Sequence, residues 1–211
     1  MNKNLLIFGG KSTALEIRES AIAHYSSDFS NVLLVIPDNE KLDHDYEYVF
    51  DRDISEFIKD NVCQYIVGFT NHNGRKKIQQ IMHTLKVEPV NILHPSAIIS
   101  KSVTIGIGNY IAAGSIISHN ARIHNHCIIN YHVTIGHDTL IKSNAIILPG
   151  SRISGNTIIG ERVLIGANSF IFQGKSIGND CVIDAMTYVS NDLEDFHICS
   201  SRNSKKFRRV K

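Results

Sequence analysis

From residue 99 onward the chain repeats a six-residue pattern of hydrophobic and polar positions. Isoleucine stands at 99, 105, 111, 117, 123, 129, 135, 141, 147, 153, 159, 165, 171, 177 and 183, and Val189 extends the series. The residue two places before each of these is usually small, as in Ala97, Ser115, Ala121, Cys127, Ala145 and Ser169, with Asn109 and Lys175 the two poor fits. Neither the period of a helix nor that of a strand, about 3.6 and 2 residues, explains this spacing. Two inward positions per six residues, one large and one small, describe one flat face of a prism.

Three such faces per turn stack every eighteenth residue, so Ile99, Ile117, Ile135, Ile153 and Ile171 would form one internal ladder ending at Val189. β-Branched side chains suit a pleated, stacked interior. The residue after each isoleucine is often glycine (Gly106, Gly136, Gly160, Gly166, Gly178) or small and polar (Ser100, Ser118, Asn130, Ser154), as expected where the chain turns a corner. The pattern predicts a parallel β-helix of about five coils, with no loop inserted between Ile99 and Val189.

Residues 1–92 follow a different rhythm. Strands are predicted at Leu5 to Phe8, Val32 to Ile36, Gln64 to Phe69 and Val90 to Leu93. Helices are predicted at Thr13 to His24, with Leu15, Ile17, Ala21 and Ile22 on one side, near Ile54 to Lys59, and at Arg75 to Leu85. Strands alternating with helices imply a parallel sheet covered on both sides, with ligands at the carboxyl ends of its strands: Gly9-Gly10, Asp38-Asn39 and Thr70-Asn71. Gly10-Lys11-Ser12 is no phosphate loop of the nucleotide triphosphatases, because the glycine required five residues earlier is Leu5. Gly9-Gly10 reads equally as a plain strand-to-helix turn and as a helix N-terminus that receives phosphates.

Composition supports this division. The 32 isoleucines are concentrated in a chain only 43% hydrophobic, which excludes collagen-like, disordered and disulfide-scaffold classes. The longest apolar run near the start, Leu5 to Phe8, is too short for a signal peptide or membrane span. The expectation is a soluble cytoplasmic protein with Cys63, Cys127, Cys181 and Cys199 reduced. Net charge is +2, but residues 201–211 carry six basic groups and no acid, leaving 16 basic against 20 acidic groups in the first 200 residues. A basic tail on a mildly acidic body, with no basic face in that body, argues against nucleic-acid or membrane partners.

A small α/β domain, then His94-Pro95-Ser96-Ala97, then hexads is an order that resembles the bacterial sugar acetyltransferases acting on nucleotide-linked amino sugars, and their sialic acid O-acetylating relatives. The resemblance spans nearly the whole chain. It implies an α/β Rossmann-like nucleotide-sugar-binding domain over 1–93, a left-handed parallel β-helix over 94–190, and a basic C-terminal tail over 191–211. The family's catalytic signature is matched by Ile135-Gly136-His137-Asp138. Stacking by eighteens puts His119 and Gly155 beside His137. Histidine, with an ordinary pKa of about 6.5, suits removal of a proton from an attacking amine or hydroxyl. Asp138 would fix its tautomer, the Gly155 N–H would stabilise the oxyanion, Asn130 would orient substrate or base, and His119 would be a second contact.

The resemblance further implies acetyl-CoA as cosubstrate along Gly155, Ala167, Ile146 and Ala185. It implies nucleotide contacts from Gly9, Gly10, Lys11, Asp38 and Asn71, and a homotrimer with active sites between subunits. Departures are Gly9-Gly10-Lys11-Ser12-Thr13 where the family has Gly-x-x-Gly-His, Thr70 in place of a loop glycine, Ile146 where a polar residue is frequent, and a last segment, Phe196 to Lys211, without the family's closing Gly-x-Pro-Ala-Lys turn. No metal is expected: the zinc set suggested by His132 and His137 needs a third histidine at position 96, which is Ser96. The readings carried forward are N-acetylation of a nucleotide-linked amino sugar, O-acetylation of a sugar such as sialic acid, and a non-catalytic β-helix.

Overall fold

The computed structural model describes residues 3–42 and 45–201. The N-terminal part is a parallel sheet of β1 (Lys3–Phe8), β2 (Phe29–Ile36), β3 (Tyr48–Phe50), β4 (Cys63–Val67) and β5 (Glu88–Pro89), in the order β3-β2-β1-β4-β5. Helix α1 (Thr13–His24) covers one face, and α2 (Ile54–Asp60) and α3 (His72–Thr84) cover the other. Three expectations change in detail. β3 is an edge strand of three residues, too short to show a period. The strand expected at Val90 to Leu93 is two: Pro89 ends β5 on β4, and Ile92–Leu93 pairs with Tyr110–Ile111 in the β-helix. On α1 the buried stripe is Ala14, Ile17 and Ala21, while Ile22 is 46% exposed, because the helix is wedged between two sheets and presents its small residues to the tight side.

The second part is the prism the hexads predict. Its face A holds Ile92–Leu93, Tyr110–Ile111, Ile128–Ile129, Ile146–Ile147, Leu164–Ile165, Val182–Ile183 and Ile198–Cys199. Face B runs from Ile98–Ile99 through Thr134–Ile135 to Tyr188–Val189, and face C from Thr104–Ile105 through Leu140–Ile141 to Ser176–Ile177. Partners from residue 92 to 189 are eighteen apart, as Ile117 with Ile135 and Ile135 with Ile153. The ladder isoleucines from Ile111 to Ile183 form one continuous core with Val189. Each fully buried one contributes about 1.5–3 kcal/mol, which is why one residue type recurs.

Stacking continues past residue 190. Ile183 pairs with Cys199 and Ile177 bridges to Leu193, a spacing of sixteen, so the last coil is two residues short and its inward positions fall off the hexad count. Residues 202–211, the basic part of the expected tail, lie outside the described residues.

The corners have a cause other than the one the sequence suggested. From Ile105 to Ile183 the left-handed residue is the third after each ladder position, as at Asn120, His126, His132, Asp138, Asn156 and Asn168, and not the first. Asn, Asp and His tolerate that conformation better than most residues. The residue directly after the isoleucine is small because successive coils touch there: a Cβ on Gly136 would stand 2.4 Å from the Gly155 nitrogen, and one on Gly166 2.3 Å from that of Ala185.

Face A explains a second pattern in the repeat. Its outward residues Tyr110, Ile128, Ile146 and Leu164 are apolar because α1 and the α/β sheet lie over them. Arg75 of α3 ties the same seam from the side. Buried to 1% exposure, it donates to the carbonyls of Val67 and Phe69 and, across the seam, to that of His126. Burial lowers its pKa to about 10, and burial with Arg75 nearby lowers that of His126 to about 4. Replacing Arg75 with Met, of similar volume, would leave these carbonyls unpaired. We expect a loss of ~2–4 kcal/mol in chemical denaturation. No helix among the described residues is long and apolar enough to cross a membrane.

Candidate active site

The corner between faces B and C carries Ser118-His119-Asn120, Gly136-His137-Asp138 and Ser154-Gly155-Asn156 one above another. His137 Nδ1 lies 2.8 Å from Asp138 Oδ2, and Asn120 Nδ2 donates to Asp138 Oδ1 at 3.2 Å. A carboxylate only accepts, so Nδ1 carries the hydrogen and Nε2 of the neutral ring keeps its lone pair. The bond from His137, then that from Asn120, holds the Asp138 carboxyl below the usual carboxylate range. The positive φ of Asp138, +56°, sets its side chain beside that of the preceding residue.

The ring of His137 rests where a side chain on Gly155 would be: a Cβ there would stand 2.6 Å from Nε2 and 2.7 Å from Cε1. The N–H of Gly155 donates to no acceptor among the described residues, whereas that of Asn156 is bound to the His137 carbonyl. On the other side the ring of His119 stacks on that of His137, centroids 5.4 Å apart and planes 14° apart. The His137 and Asp138 side chains are each 42% exposed, so the edge is open to a ligand.

The remaining expected coenzyme and base residues are not on this edge. Ala167 and Ala185 stack on each other at the corner between faces A and B. Asn130 lies at that same corner, buried, with its side chain accepting from the N–H of Tyr131. Ile146 is fully buried between face A and the α/β region. It cannot line a coenzyme groove, and its apolar character where a polar residue was expected reflects that packing. His132 and His137 sit at different corners.

A second cavity, of about 520 Å³, opens at the carboxyl ends of β1, β2 and β4. Gly9, Gly10 and Lys11 line it, with Arg52, Lys77 and Phe69. Gly9 has φ +121°, and a Cβ on Gly10 would meet Glu40 and Leu42 at 2.9 Å. Lys11 Nζ is 3.7 Å from Glu40 Oε1. Asp38 stands at the rim, where its Oδ2 accepts from Arg52 Nη1 at 2.8 Å, so it acts by holding that cation. Asn71 is committed to capping α3, accepting from the Gly74 N–H at 2.7 Å. Sequence reasoning missed Arg52 here and Asn120 at the edge. Only Asn120 was signalled, since it lies eighteen residues before Asp138.

Two family models match the repeat: the bacterial transferase hexapeptide (six repeats) over residues 138–173, and the hexapeptide repeat of succinyl-transferase over 156–191. No curated protein matches the chain. Among solved structures it is similar to the acetyltransferase domain of PglB from Neisseria gonorrhoeae, at 22% identity over 98% of this chain and 100% of that one, TM-score 0.87. It is similar to WeeI from Acinetobacter baumannii at 15% identity over 93% and 96%, TM-score 0.81. A mutant of perosamine N-acetyltransferase from Caulobacter crescentus, solved with CoA and GDP-perosamine, is 25% identical over 96% of this chain and 95% of that one, TM-score 0.87. The α/β region followed by a left-handed parallel β-helix is thus shared end to end with these proteins. The hexapeptide repeat, the shared architecture and the likeness to a perosamine N-acetyltransferase together support an acetyltransferase built on a hexapeptide-repeat β-helix.

Proposed function

We propose that this acetyltransferase moves the acetyl group of acetyl-CoA to the amine of a nucleotide-linked amino sugar, with His137 as general base. The observation that carries the reading is the His137–Asp138 pair lying over Gly155, an open edge with a base, its orienting carboxylate and an unengaged N–H within a few ångströms. Nε2 accepts the proton of the amine as its nitrogen attacks the thioester carbonyl, Asp138 stabilises the imidazolium, and the Gly155 N–H donates to the developing oxyanion. The CoA thiolate leaves and takes the proton from the imidazolium.

An amine acceptor is favoured over a sugar hydroxyl because the relative of highest identity reported above is an N-acetyltransferase holding GDP-perosamine. The α/β cavity fits the nucleotide: cations at Lys11, Arg52 and Lys77 for phosphates, and the ring of Phe69 for a base. The cavity lies on the α2 and α3 side of the sheet, while face A contacts the α1 side. The His137 edge is the corner of the prism opposite face A. A substrate held in the cavity therefore faces away from its own chain's His137, which supports a homotrimer whose active sites combine two subunits. Exposed apolar residues on face B, Ile98 at 65% and Tyr188 at 59%, suit such an assembly.

The test is thiol release from acetyl-CoA with UDP-, dTDP- and GDP-linked amino sugars set against free sialic acid. Acetylation of an amino sugar and not of sialic acid is expected, and the reverse overturns the reading. With the preferred acceptor, Arg52→Ala should raise KM about tenfold at little cost to kcat, the effect of one lost charge-assisted hydrogen bond.

A further inference from the structure

His119, His137 and Asp138 offer two imidazole nitrogens and a carboxylate oxygen that all lie within 4.8 Å of one another. We propose that these three side chains form a capture site for a divalent transition-metal ion of the zinc class, and that an ion held there stops acetyl transfer. Zinc bonds nitrogen and oxygen at about 2.0–2.2 Å in a tetrahedron, so two donors on one ion stand about 3.4 Å apart. Donors already within 4.8 Å need to close by at most about 1.4 Å, and all three side chains stand at a solvent-facing corner that leaves room for rotation.

Three features specify the site beyond proximity. The ring nitrogens of His119 make no hydrogen bond among the described residues, so capture breaks none there. The Asp138 carboxylate is oriented from behind by Asn120, the arrangement that stiffens a ligating carboxylate. Imidazole with one carboxylate favours zinc, copper, nickel or cobalt over magnesium or calcium. Two of the alternative soft ligands, Cys127 and Cys181, are buried inside the prism. The ion is no cofactor: by taking a ring nitrogen of His137 together with the Asp138 carboxylate it breaks their hydrogen bond and disables the base, so this stoppage rests on the reading of His137 as base.

The experiment titrates the purified full chain with Co²⁺, following the visible d–d absorption of the bound ion and, in parallel, acetyl transfer. The expected result is a saturable band, loss of activity over the same concentrations, reversal of both by EDTA, and no effect of Mg²⁺. His119→Gln removes one of the three donors, so it should need at least about tenfold more Co²⁺ both for the band and for half-loss of its own metal-free activity. Absence of a band, or an unchanged titration in His119→Gln, overturns the site. A band without inhibition upholds the site and overturns both the stoppage and His137 as base.

Discussion

Replacing His137 with alanine should lower kcat about 10²–10⁴-fold with the best acceptor, while KM for acetyl-CoA changes little. The side chain stands at an open corner and carries no core packing, so the variant should unfold at the same temperature as the parent. A purely chemical loss is therefore separable from a structural one. The residual rate should be first order in hydroxide over the neutral range, because solvent would then have to remove the proton the imidazole takes. A variant that kept its full rate would leave the edge without a base.

The second large effect comes from a residue with no side chain. Gly155→Ala adds one carbon that would stand 2.6–2.9 Å from Nε2, Cε1 and Cδ2 of His137. The φ of Gly155 lies outside the left-handed region, so alanine fits the backbone, and the three nearest atoms it meets all belong to the ring. The ring has solvent to swing into, which keeps the cost to stability small. Swinging, however, moves Nε2 by about an ångström and strains the 2.8 Å bond to Asp138. A displacement of that size costs about 10²-fold in kcat. Circular dichroism and the melting temperature should match the parent; a near-parental rate would show that the ring's position over the glycine is unimportant.

Much of the prism was legible because its code is local and periodic. A fixed six-residue step between Ile99 and Val189 sets the faces, the stacking by eighteen and the neighbours of His137 without any long-range guess. The reading of His137 and Asp138 as the catalytic pair came from the resemblance to the sugar acetyltransferases, and Asn120 was one subtraction away. Legibility failed where geometry came from contacts between elements. Leu193 and Cys199 were hidden by a coil two residues short. Ile22 was assigned to the buried side of α1 although the helix turns its alanines toward the seam. Ile146 was read as part of a coenzyme groove through the resemblance, and the repeat says which way a residue points but not that an α/β domain covers that face. The cavity was reached through Gly9, Gly10 and Lys11, but Arg52 follows a strand of three residues that leaves no periodic trace.

The eighteen-residue stacking makes each edge of the prism a ruler. Adjacent rungs are one strand spacing apart, about 4.8 Å, so a group on the edge can be relocated only in steps of that size. Point substitution changes what stands on a rung but not where the rung is. Moving the base nearer to or farther from the end of the edge would require gaining or losing a whole coil of eighteen residues. Gain or loss of a residue within a strand would turn the ladder outward, whereas a corner can absorb it, as the shortened turn after Val189 does. The reach of the thioester and the height of the base are thereby matched in whole coils, and evolution of this enzyme toward a longer acyl donor would proceed by exchanging the residue on the next rung rather than by shifting His137.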